Sequence, residues 1–382
     1  MKTLDYLNDR LNNGYTKEQS LEVLKEELGI KSTINTEYNL VTLNYSQIDS
    51  PKTHPIVTEC RSLVLDLEGA TFTVVSRSFD RFLNLGENGN EDKIDITEMK
   101  VYEKLDGSLI GLFSHKGTWL YRTKSMIMPA EDMHMDAFGN SWKKLIESLL
   151  EPFNFEVDNN NYSGCECSTF ILELTSPYNR IVTRYEESGL YLLAIRHNKD
   201  GYYRFTDSDL EIFTDPFCWN TPKTYGFSTI DECKEVVENL PNLQEGYVLY
   251  DIYGIPMCKI KSPTYLAVHR IRGESIPTPK RIMDLVFTNE TDEYLTYFPE
   301  DKGMFQPYIN AFLSAELFFN LTWSNIEGII NQKEFALSLM GNPVMHLMFR
   351  KKQNNNLTFR DCFSNLTTQA KYNLVEKYLN EH

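Results

Sequence analysis

The segment from residue 99 to residue 113 constrains the local fold of this chain more than any other stretch. Apolar, β-prone residues lead into Lys104, and Asp106, Gly107 and Ser108 follow before a second apolar run begins. This order predicts a strand, a tight hairpin turn and a second strand, with one amine at the mouth of a sheet. Most lysines before an Asp-Gly turn are surface residues, and these few residues alone do not separate that arrangement from a functional one.

An amine in this position is a nucleophile only in its neutral form, because an ammonium group has no lone pair. At the reference pKa of about 10.4, keeping a lysine neutral at pH 7 costs roughly 4 to 5 kcal/mol. Neighbouring cations or burial would have to supply that energy. If Lys104 is a nucleophile, we therefore expect other cationic side chains close to it.

The composition allows one large core or two domains of ordinary size, and we expect two. The chain has 382 residues, and 41% of them are hydrophobic. The 22 tyrosines and 22 phenylalanines, together with many short alternating segments, favour an α+β fold with substantial sheet content.

Charge and cysteine content exclude several classes of protein. The net charge of −16 argues against polyanion binding by the whole surface, so a nucleic-acid site would have to be a local basic region. The seven cysteines are scattered without zinc-site spacing, which is typical of a reduced, intracellular protein. There is no signal-like N-terminus and no apolar run near 18 residues, so we expect a cytoplasmic protein without membrane contact.

Cationic residues occur at the ends of predicted strands. Arg61 begins an apolar strand, and Arg81 lies where another strand runs into a loop. Arg122, Thr123 and Lys124 end the strand that returns antiparallel to the second strand of the lysine segment. Guanidinium groups at strand ends can bind phosphate oxygens, although a single arginine there more often pairs with a surface carboxylate.

Further charged residues lie in later apolar strands. Glu173 interrupts the apolar run 170–174, where its carboxylate faces either water or a ligand. Glu245 begins another strand, and Lys259 and Lys261 alternate with Ile260 in the next one. Alternation places both ammonium groups on one face, where they repel each other unless an anion lies between them.

After residue 272 the pattern becomes that of helices. Pro277 and Pro279 mark a boundary, and apolar residues then recur at helical spacing. We therefore expect two domains, residues 1–272 and residues 273–382, of which the second is small and all-α. The basic run 350–352 in it is either a solvated helix end or an RNA contact.

Taken together, these motifs resemble the signature of the covalent nucleotidyltransferases, the superfamily of ATP-dependent ligases and capping enzymes. Lys-x-Asp-Gly at Lys104, the strand glutamate Glu173, Glu-Gly at Glu245 and Lys-x-Lys at Lys259 occur in that order. Within the superfamily, Glu-Cys-Arg-Ser, Lys-Leu-Asp-Gly-Ser-Leu, Ser-Pro-Tyr-Asn-Arg-Ile-Val, Glu-Gly-Tyr-Val and Lys-Ile-Lys-Ser resemble the phage RNA ligase 1 family, whose members reseal broken tRNA anticodon loops.

The resemblance implies a fold and a reaction. Residues 1–272 would form an adenylyltransferase domain with ATP-grasp-like antiparallel sheets flanked by helices, and residues 273–382 a helical RNA-recognition domain. Lys104 would take AMP from ATP, pass it to an RNA 5′-phosphate, and a 3′-OH would then displace AMP and seal the strand. ATP and Mg²⁺ or Mn²⁺ are the expected cofactors, and tRNA anticodon loops or single-stranded RNA the expected partners of a monomer.

The resemblance also implies roles for single residues. Lys259 and Lys261 would hold the α-phosphate of ATP and lower the pKa of Lys104. The expected catalytic residues are Lys104, Lys259, Lys261, Glu173 and Tyr265. The expected nucleotide-binding residues are Arg61, Arg81, Glu103, Gly107, Glu173, Glu245, Lys259 and Lys261. Asp66, Arg122, Thr123 and Lys124 would act in ligation or at the RNA end, and Asp292 and Glu173 would bind metal.

Some positions depart from the family, and other functions remain open. Arg81 and Leu83 stand where the family has Lys and Phe near the nucleotide, and Leu43 replaces an aromatic residue. For Tyr265, a structural role in a helix is an equal alternative. The open functional alternatives are a DNA ligase or capping guanylyltransferase, and an inactive RNA-binding relative of the ligases. A DNA ligase or capping enzyme would carry a β-rich OB domain where this chain has a helical pattern.

Overall fold

A computed structural model describes residues 1–91, 94–135, 139–153, 167–204, 219–273 and 277–379 of the chain. It divides into two compact units, Met1–His269 and Arg270–His382. The first contains sheets and helices, and the described part of the second contains helices and no strand. The predicted α+β class with a small all-α C-terminal region is confirmed.

Three sheets form the first unit, and within them almost every strand pair is antiparallel. The first sheet has the order β1 (Ile30–Asn35), β2 (Leu40–Tyr45), β3 (Arg61–Asp66), β4 (Thr73–Ser76). The second has the order β11 (Tyr203–Arg204), β10 (Gly189–His197), β9 (Ser168–Thr175), β7 (Ser108–His115), β8 (Thr118–Arg122). The third has the order β12 (Thr224–Tyr225), β6 (Lys100–Lys104), β13 (Gly246–Tyr250), β14 (Pro256–Lys261), β5 (Leu83–Asn84), and its last pair is parallel.

Helices flank these sheets and make up the second unit. The first unit has α1 (Lys2–Asn12), α2 (Lys17–Leu28), α3 (Pro55–Glu59), α4 (Trp142–Leu150), α5 (Ile230–Glu238) and α6 (Pro263–Arg272), of which α6 runs past the boundary between the units. The second has α7 (Pro279–Thr288), α8 (Thr291–Tyr297), α9 (Lys302–Ile326), α10 (Gln332–Ser338), α11 (Met345–Gln353), α12 (Phe359–Ser364) and α13 (Thr368–Leu379). None of the helices in the described ranges has the length and apolar character that a membrane crossing requires.

Local sequence explains the helix ends and the cores. Thr16 and Gln19 form the capping box that opens α2, and Gly29 ends it in the left-handed region at φ 63°. Leu21 and Leu24 then face a core beneath the first sheet. In the second unit the core is aromatic, with Phe312 packed edge-on against the rings of two residues of α12.

The lysine segment folds differently from the predicted hairpin. Strands β6 and β7 lie where the pattern indicates, but they do not pair with each other. β6 pairs with β12 and β13 in the third sheet, whereas β7 pairs with β8 and β9 in the second. The turn at 105–107 therefore carries the chain from one sheet to another, and Lys104 lies at that crossing.

Candidate active site

The third sheet places Lys104 and Lys261 on one row. In the strand register, Gly246 of β13 pairs with Lys104 of β6 on one side and with Lys261 of β14 on the other. Neighbouring strands lie about 4.8 Å apart, so the two lysine backbones are about 10 Å apart. A Cβ added to Gly246 would lie 1.9 Å from the Ile260 carbonyl oxygen, and φ is 138° there. Only glycine fits between the two lysines.

The same face of the third sheet forms one wall of a cavity of about 200 Å³. Its cationic lining residues come from three strands: Arg61 from β3, Lys104 from β6, and Lys259 and Lys261 from β14. The rest of the lining is mostly apolar or aromatic, with two carboxylates: Phe79, Phe82, Tyr102, Glu103, Leu105, Leu109, Glu173, Leu192, Leu193, Thr221, Pro222, Val248 and Tyr250. The cavity therefore has a cationic part and an aromatic part.

Glu245 joins two of these lysines. Its Oε2 accepts from Lys104 Nζ at 2.7 Å, and its Oε1 lies 2.7 Å from Lys261 Nζ. Glu245 is 4% exposed, and although burial raises its pKa, the two lysines bring the pKa below its usual range. One carboxylate thus lies between a lysine of β6 and a lysine of β14.

The structure corrects the expected ionisation of Lys104. Burial lowers the pKa of this amine, but the carboxylates of Glu245 and Glu173 outweigh it and raise the pKa above its usual value. The predicted depression of the Lys104 pKa by neighbouring lysines is therefore wrong for this arrangement, because the Glu245 carboxylate lies 2.7 Å from the amine and raises its pKa. Lys104 is an ammonium group paired with Glu245.

The strongly lowered pKa belongs to Lys259 instead. Burial, Arg61 and the other two lysines lower the pKa of Lys259 to about 7. Its Nζ lies 5.2 Å from the centre of the Phe82 ring, and the Arg61 guanidinium carbon lies 5.7 Å from that centre. Phe82 therefore contacts both cations through its ring face.

A bulge in β3 precedes the cavity. Asn44 pairs with Arg61 and Leu43 with Leu63, so Ser62 has no partner across the strand pair. Ser62 has a φ of 57°, and its N–H donates to Asn44 Oδ1 at 2.9 Å. A bulge changes the direction in which neighbouring side chains point. The bulge allows Arg61, the first residue of β3, to reach the cavity.

Gly107 and Glu173 hold the sheet crossing in place. Glu173 Oε1 accepts from the Gly107 N–H at 3.1 Å, and a Cβ on Gly107 would lie 2.2 Å from the Leu174 carbonyl oxygen. The close approach that glycine permits is thus to strand β9. The pKa of Glu173 is raised to about 7, mainly by burial, with Lys104 acting to lower it and Glu245 to raise it.

Tyr265 is a buried support for the same turn. Its hydroxyl donates to Asp106 Oδ1 at 2.6 Å, and the ring is 2% exposed. Asp106 is itself 2% exposed and accepts from the N–H groups of Val182 and Thr183 at 2.8 and 2.7 Å. Tyr265 does not line the cavity. Its position indicates a positioning residue rather than the expected catalytic one.

Arg81 lies outside the cavity lining. The Arg81 guanidinium forms an ion pair with Glu87, and the backbone N–H of Arg81 donates to the Thr58 carbonyl oxygen at 2.8 Å. The neighbouring Phe82 lines the cavity instead, whereas Leu83 does not. Glu103, another expected nucleotide-binding residue, lines the cavity. Its N–H also donates to the Lys223 carbonyl oxygen at 2.8 Å.

The segment expected to act at the RNA end is mostly buried. Arg122 has no exposed surface, and burial with the nearby Arg61 lowers its pKa to about 9. Its Nε donates to Ser76 Oγ at 3.2 Å, and its Nη2 has no hydrogen-bond partner in the described part of the chain. Thr123 is buried in the turn to Met126, and only Lys124 exposes its side chain. Arg122 and Thr123 cannot contact RNA directly in this arrangement.

Asp66 is also separate from the cavity. It ends β3, five residues after Arg61, which corresponds to about 16 Å along a strand. Its Oδ1 accepts from the Glu68 N–H at 2.7 Å, and it is not in the cavity lining. The structure does not bring Asp66 together with the other expected site residues of the first unit.

The two expected metal ligands lie in different units. Glu173 belongs to the first unit, and Asp292 lies in the first turn of α8 of the second, where it lines a small groove with Asn289 and Arg360. Within the described ranges, no three His, Cys, Asp or Glu side chains are grouped as a metal site. Mg²⁺ commonly needs only one or two carboxylates when phosphates supply further ligands. The cavity residues therefore fit an ion that enters with a phosphate ligand.

Several site residues escape prediction from sequence. Phe82, Tyr102 and Tyr250 line the cavity, but an aromatic residue in a strand is common and carries no functional signal. Ser62 and Asn44 form the bulge in β3, and no local sequence pattern predicts a bulge at these residues. The segment Ser-Pro-Tyr-Asn-Arg-Ile-Val is the part of the family pattern that reaches the site, because the N–H of its last residue, Val182, donates to Asp106.

The sequence of the chain is similar to those of known proteins. A sequence model of a protein family described as RNA ligase matches residues 59–265, which is more than half of the chain. The matched range contains every expected site residue of the first unit, from Arg61 to Tyr265.

Individual relatives extend the comparison beyond that range. The chain is 35% identical over 373 residues to a protein of Autographa californica nuclear polyhedrosis virus named as a bifunctional polynucleotide kinase/RNA ligase, covering 93% of this chain and 51% of that protein. It is 22% identical over 405 residues to an RNA ligase of Rhodothermus phage RM378, covering 88% of this chain and 90% of that protein. A solved archaeal ATP-dependent RNA ligase is 13% identical with a TM-score of 0.48, covering 73% of this chain and 67% of that one. The chain thus spans about half the length of the viral relative.

Proposed function

This chain belongs to the RNA ligase family, and from that premise we propose that it is an ATP-dependent RNA ligase. The observation that carries the proposal is the convergence of Lys104, Lys259, Lys261 and Arg61 on one cavity. These four cations come from three strands, and no single carboxylate in the described part of the chain pairs with all of them. A triphosphate supplies that amount of negative charge.

The division of the cavity suits a nucleotide. The rings of Phe82, Tyr102 and Tyr250 offer an apolar region for a base, and the lysines lie beside it. ATP would then place its base among the rings and its α-phosphate between Lys259 and Lys261. The nucleophile Lys104 lines the same cavity.

In the first step, the proposed reaction forms a bond between Lys104 Nζ and the α-phosphorus of ATP. The bond from that phosphorus to the bridging oxygen breaks and pyrophosphate leaves. The nitrogen releases two protons to solvent, one when the ammonium becomes the attacking amine and one when the phosphoramide forms. An α-phosphate at Lys261 would compete with Glu245 for that lysine. If Glu245 moved away from Lys104 as the phosphate binds, the main cause that raises the pKa of Lys104 would be removed.

The second and third steps use the RNA ends. An oxygen of the RNA 5′-phosphate attacks the phosphorus of the lysyl-AMP and the nitrogen–phosphorus bond breaks. The Lys104 nitrogen takes up a proton as it leaves, which restores the amine. The 3′-oxygen of the other end, after losing its proton, attacks the 5′-phosphorus and releases AMP. We further propose that tRNA broken in the anticodon loop is the natural substrate.

Mg²⁺ or Mn²⁺ would bind beside the phosphates, and Glu173 is the cavity carboxylate that we propose as its protein ligand. A bound divalent ion supplies positive charge to the phosphate oxygens during transfer. Glu245 is less suited to hold the ion, because both of its oxygens contact lysines. Asp292 stays a proposed metal ligand of the second unit.

The two units would divide the work between them. We propose that residues 1–272 carry out adenylyl transfer and that residues 273–382 recognise RNA. The basic run 350–352 is a poor candidate for RNA contact by its lysines. Lys351 Nζ donates to the carbonyl oxygens of Asn355 and Leu357, and Lys352 Nζ donates to that of Ile329. These two lysines stabilise the local chain.

Incubation with radiolabelled ATP and Mg²⁺ tests the proposal directly. We expect the wild-type protein to retain label covalently and Lys104→Ala to retain none. Lys116→Ala serves as the matched control, because Lys116 is an exposed lysine that pairs with Glu68 in the same unit. Label retained by Lys104→Ala would contradict the proposed nucleophile.

The same assay separates the alternatives. A capping enzyme would take label from GTP instead of ATP, and a DNA ligase would seal nicked DNA in preference to RNA. An inactive relative would take label from neither nucleotide. A 5′-phosphorylated RNA joined to a 3′-OH RNA by the wild-type protein is the result expected here.

A further inference from the structure

The loop between β9 and β10, residues 176–188, is a compact segment beside the nucleophile. The hydroxyls of Ser176 and Ser188 lie 2.8 Å apart and close its base. Residues Pro177–Asn179 form a single 3₁₀ turn, with the Tyr178 N–H donating to Ser176 Oγ at 3.1 Å. The loop is therefore ordered by its own hydrogen bonds.

Hydrogen bonds attach this loop to the turn that follows Lys104. Asn179 Nδ2 donates to Ser108 Oγ at 2.6 Å. The N–H of Thr183 donates to Asp106 Oδ2, and the Asp106 N–H donates to the Tyr185 hydroxyl at 3.0 Å. Asp106 and Ser108 follow Lys104 by two and four residues, so the attachment points are at most about 14 Å from it.

Two exposed residues of the loop are adjacent in sequence to these attachment points. Tyr178, which precedes Asn179, is 46% exposed. Arg184, between Thr183 and Tyr185, is exposed and has no ion-pair partner within the part of the chain that the structure describes. Neither residue lines the nucleotide cavity. Their backbone positions are thus held near Lys104 while their side chains are available to another molecule.

We propose that Tyr178 and Arg184 form a binding subsite for the 5′-phosphorylated end of the RNA, an inference that rests on the proposed function. An exposed aromatic ring can stack on a terminal base, and a guanidinium can bind phosphate oxygens. The chain carries a net charge of −16, and Glu186 and Glu187 are exposed in the same loop. A local cation is therefore needed to attract an RNA end here.

The position favours the 5′-phosphate strand over other ligands. In the second step the 5′-phosphate must reach a phosphorus bonded to Lys104 Nζ, whereas ATP already occupies its own cavity in the first step. A subsite attached to residues 106–108 lies outside that cavity and beside the same lysine. The loop therefore acts after self-adenylylation.

Stepwise assays on Tyr178→Ala, Arg184→Ala and the double variant test the inference. We expect self-adenylylation within about twofold of wild type, and a KM for a 5′-phosphorylated oligoribonucleotide raised about tenfold by each single change. Tyr178→Phe should stay near wild type, because it keeps the ring. Tyr202→Ala is the matched control, since Tyr202 is a 75% exposed tyrosine beyond the far end of β10.

Distinct outcomes overturn the inference and the proposed function. An unchanged KM for the RNA in the double variant would refute the subsite. Loss of self-adenylylation in Tyr178→Ala or Arg184→Ala would also refute it, because the loop would then act through the turn of Lys104. If wild-type protein takes label from ATP and never passes it to RNA, the proposed function itself fails.

Discussion

The first unit contains two groups of cations, one half-buried and one buried, that differ in how their charge is balanced. The cavity group consists of Arg61, Lys104, Lys259 and Lys261. The second group consists of Arg77 and Arg196, which lie 7% and 3% exposed and contact Asp80. Both groups bring cations from strands or loops far apart in sequence.

The difference lies in geometry as much as in charge. Arg196 donates to both oxygens of Asp80 at 2.9 and 2.7 Å, to the Ser78 carbonyl oxygen and to the Gly201 carbonyl oxygen. Its planar guanidinium also covers the Tyr203 ring at 4.7 Å. In the cavity group, only Lys104 and Lys261 share a carboxylate, and the remaining cations face an open space.

This comparison teaches how to separate structural from functional cations. A bidentate arginine with a carboxylate and a covered ring is a closed arrangement that stabilises the fold. Lysines that share one carboxylate beside a cavity can exchange that carboxylate for a ligand phosphate. Removal of a side chain should therefore affect catalysis in one group and stability in the other.

The largest effect is expected for Lys261→Ala. This change removes the positive charge nearest the proposed α-phosphate, so we expect self-adenylylation to fall about 100-fold or more. The free energy of unfolding should change little, because Glu245 keeps its bond to Lys104. Adduct formation at the wild-type rate would show that the assignment of Lys261 to the α-phosphate is wrong.

A smaller and opposite pattern is expected for Asp80→Asn. This change leaves Arg77 and Arg196 buried without a carboxylate, which should lower the free energy of unfolding by about 2 kcal/mol, reduced by the partial exposure of Asp80. Denaturant titration measures it, with Glu22→Gln as control, because Glu22 forms an exposed pair with Lys25. The contrast between the two groups would be wrong if Asp80→Asn has the free energy of unfolding of the wild type but loses self-adenylylation.

The smallest effect is expected from pH, through Lys259. Its pKa is lowered to about 7 by burial, Arg61 and the other lysines, so the amine loses its charge as the pH rises above 7. A neutral amine attracts phosphate less, and binding of ATP above pH 7 must take up a proton. We expect the KM for ATP to rise with pH by at most about tenfold per unit.

Lysine-to-arginine exchange sharpens the pH prediction. Lys259→Arg keeps a permanent charge at this position, so the dependence of KM on pH between 7 and 9 should flatten. The kinetic measurement should use a fixed Mg²⁺ concentration at each pH. A wild-type KM that is constant over this range would contradict the assigned titration of Lys259.

Sequence alone located the strands of the site because alternation is a local property. The strands that contain Lys104, Glu173 and Lys259 lie where apolar alternation places them, and Gly246 follows Glu245 as the strand start requires. The pairing of β6 with β7 was wrong, because an Asp-Gly turn is typical of a hairpin and gives no sign of a change of sheet. That change depends on Asp106 and Gly107 packing against β9 and α6.

Sequence by itself determined the α+β class, the helical C-terminal region and the identity of the lysines, because periodicity and motif spacing are written along the chain. Tertiary structure alone decided which charges meet. It placed Glu245 between Lys104 and Lys261, shifted the lowered pKa to Lys259, and buried Arg122. The physical reason is that a pKa depends on distances of a few ångströms between groups that the sequence separates by more than a hundred residues.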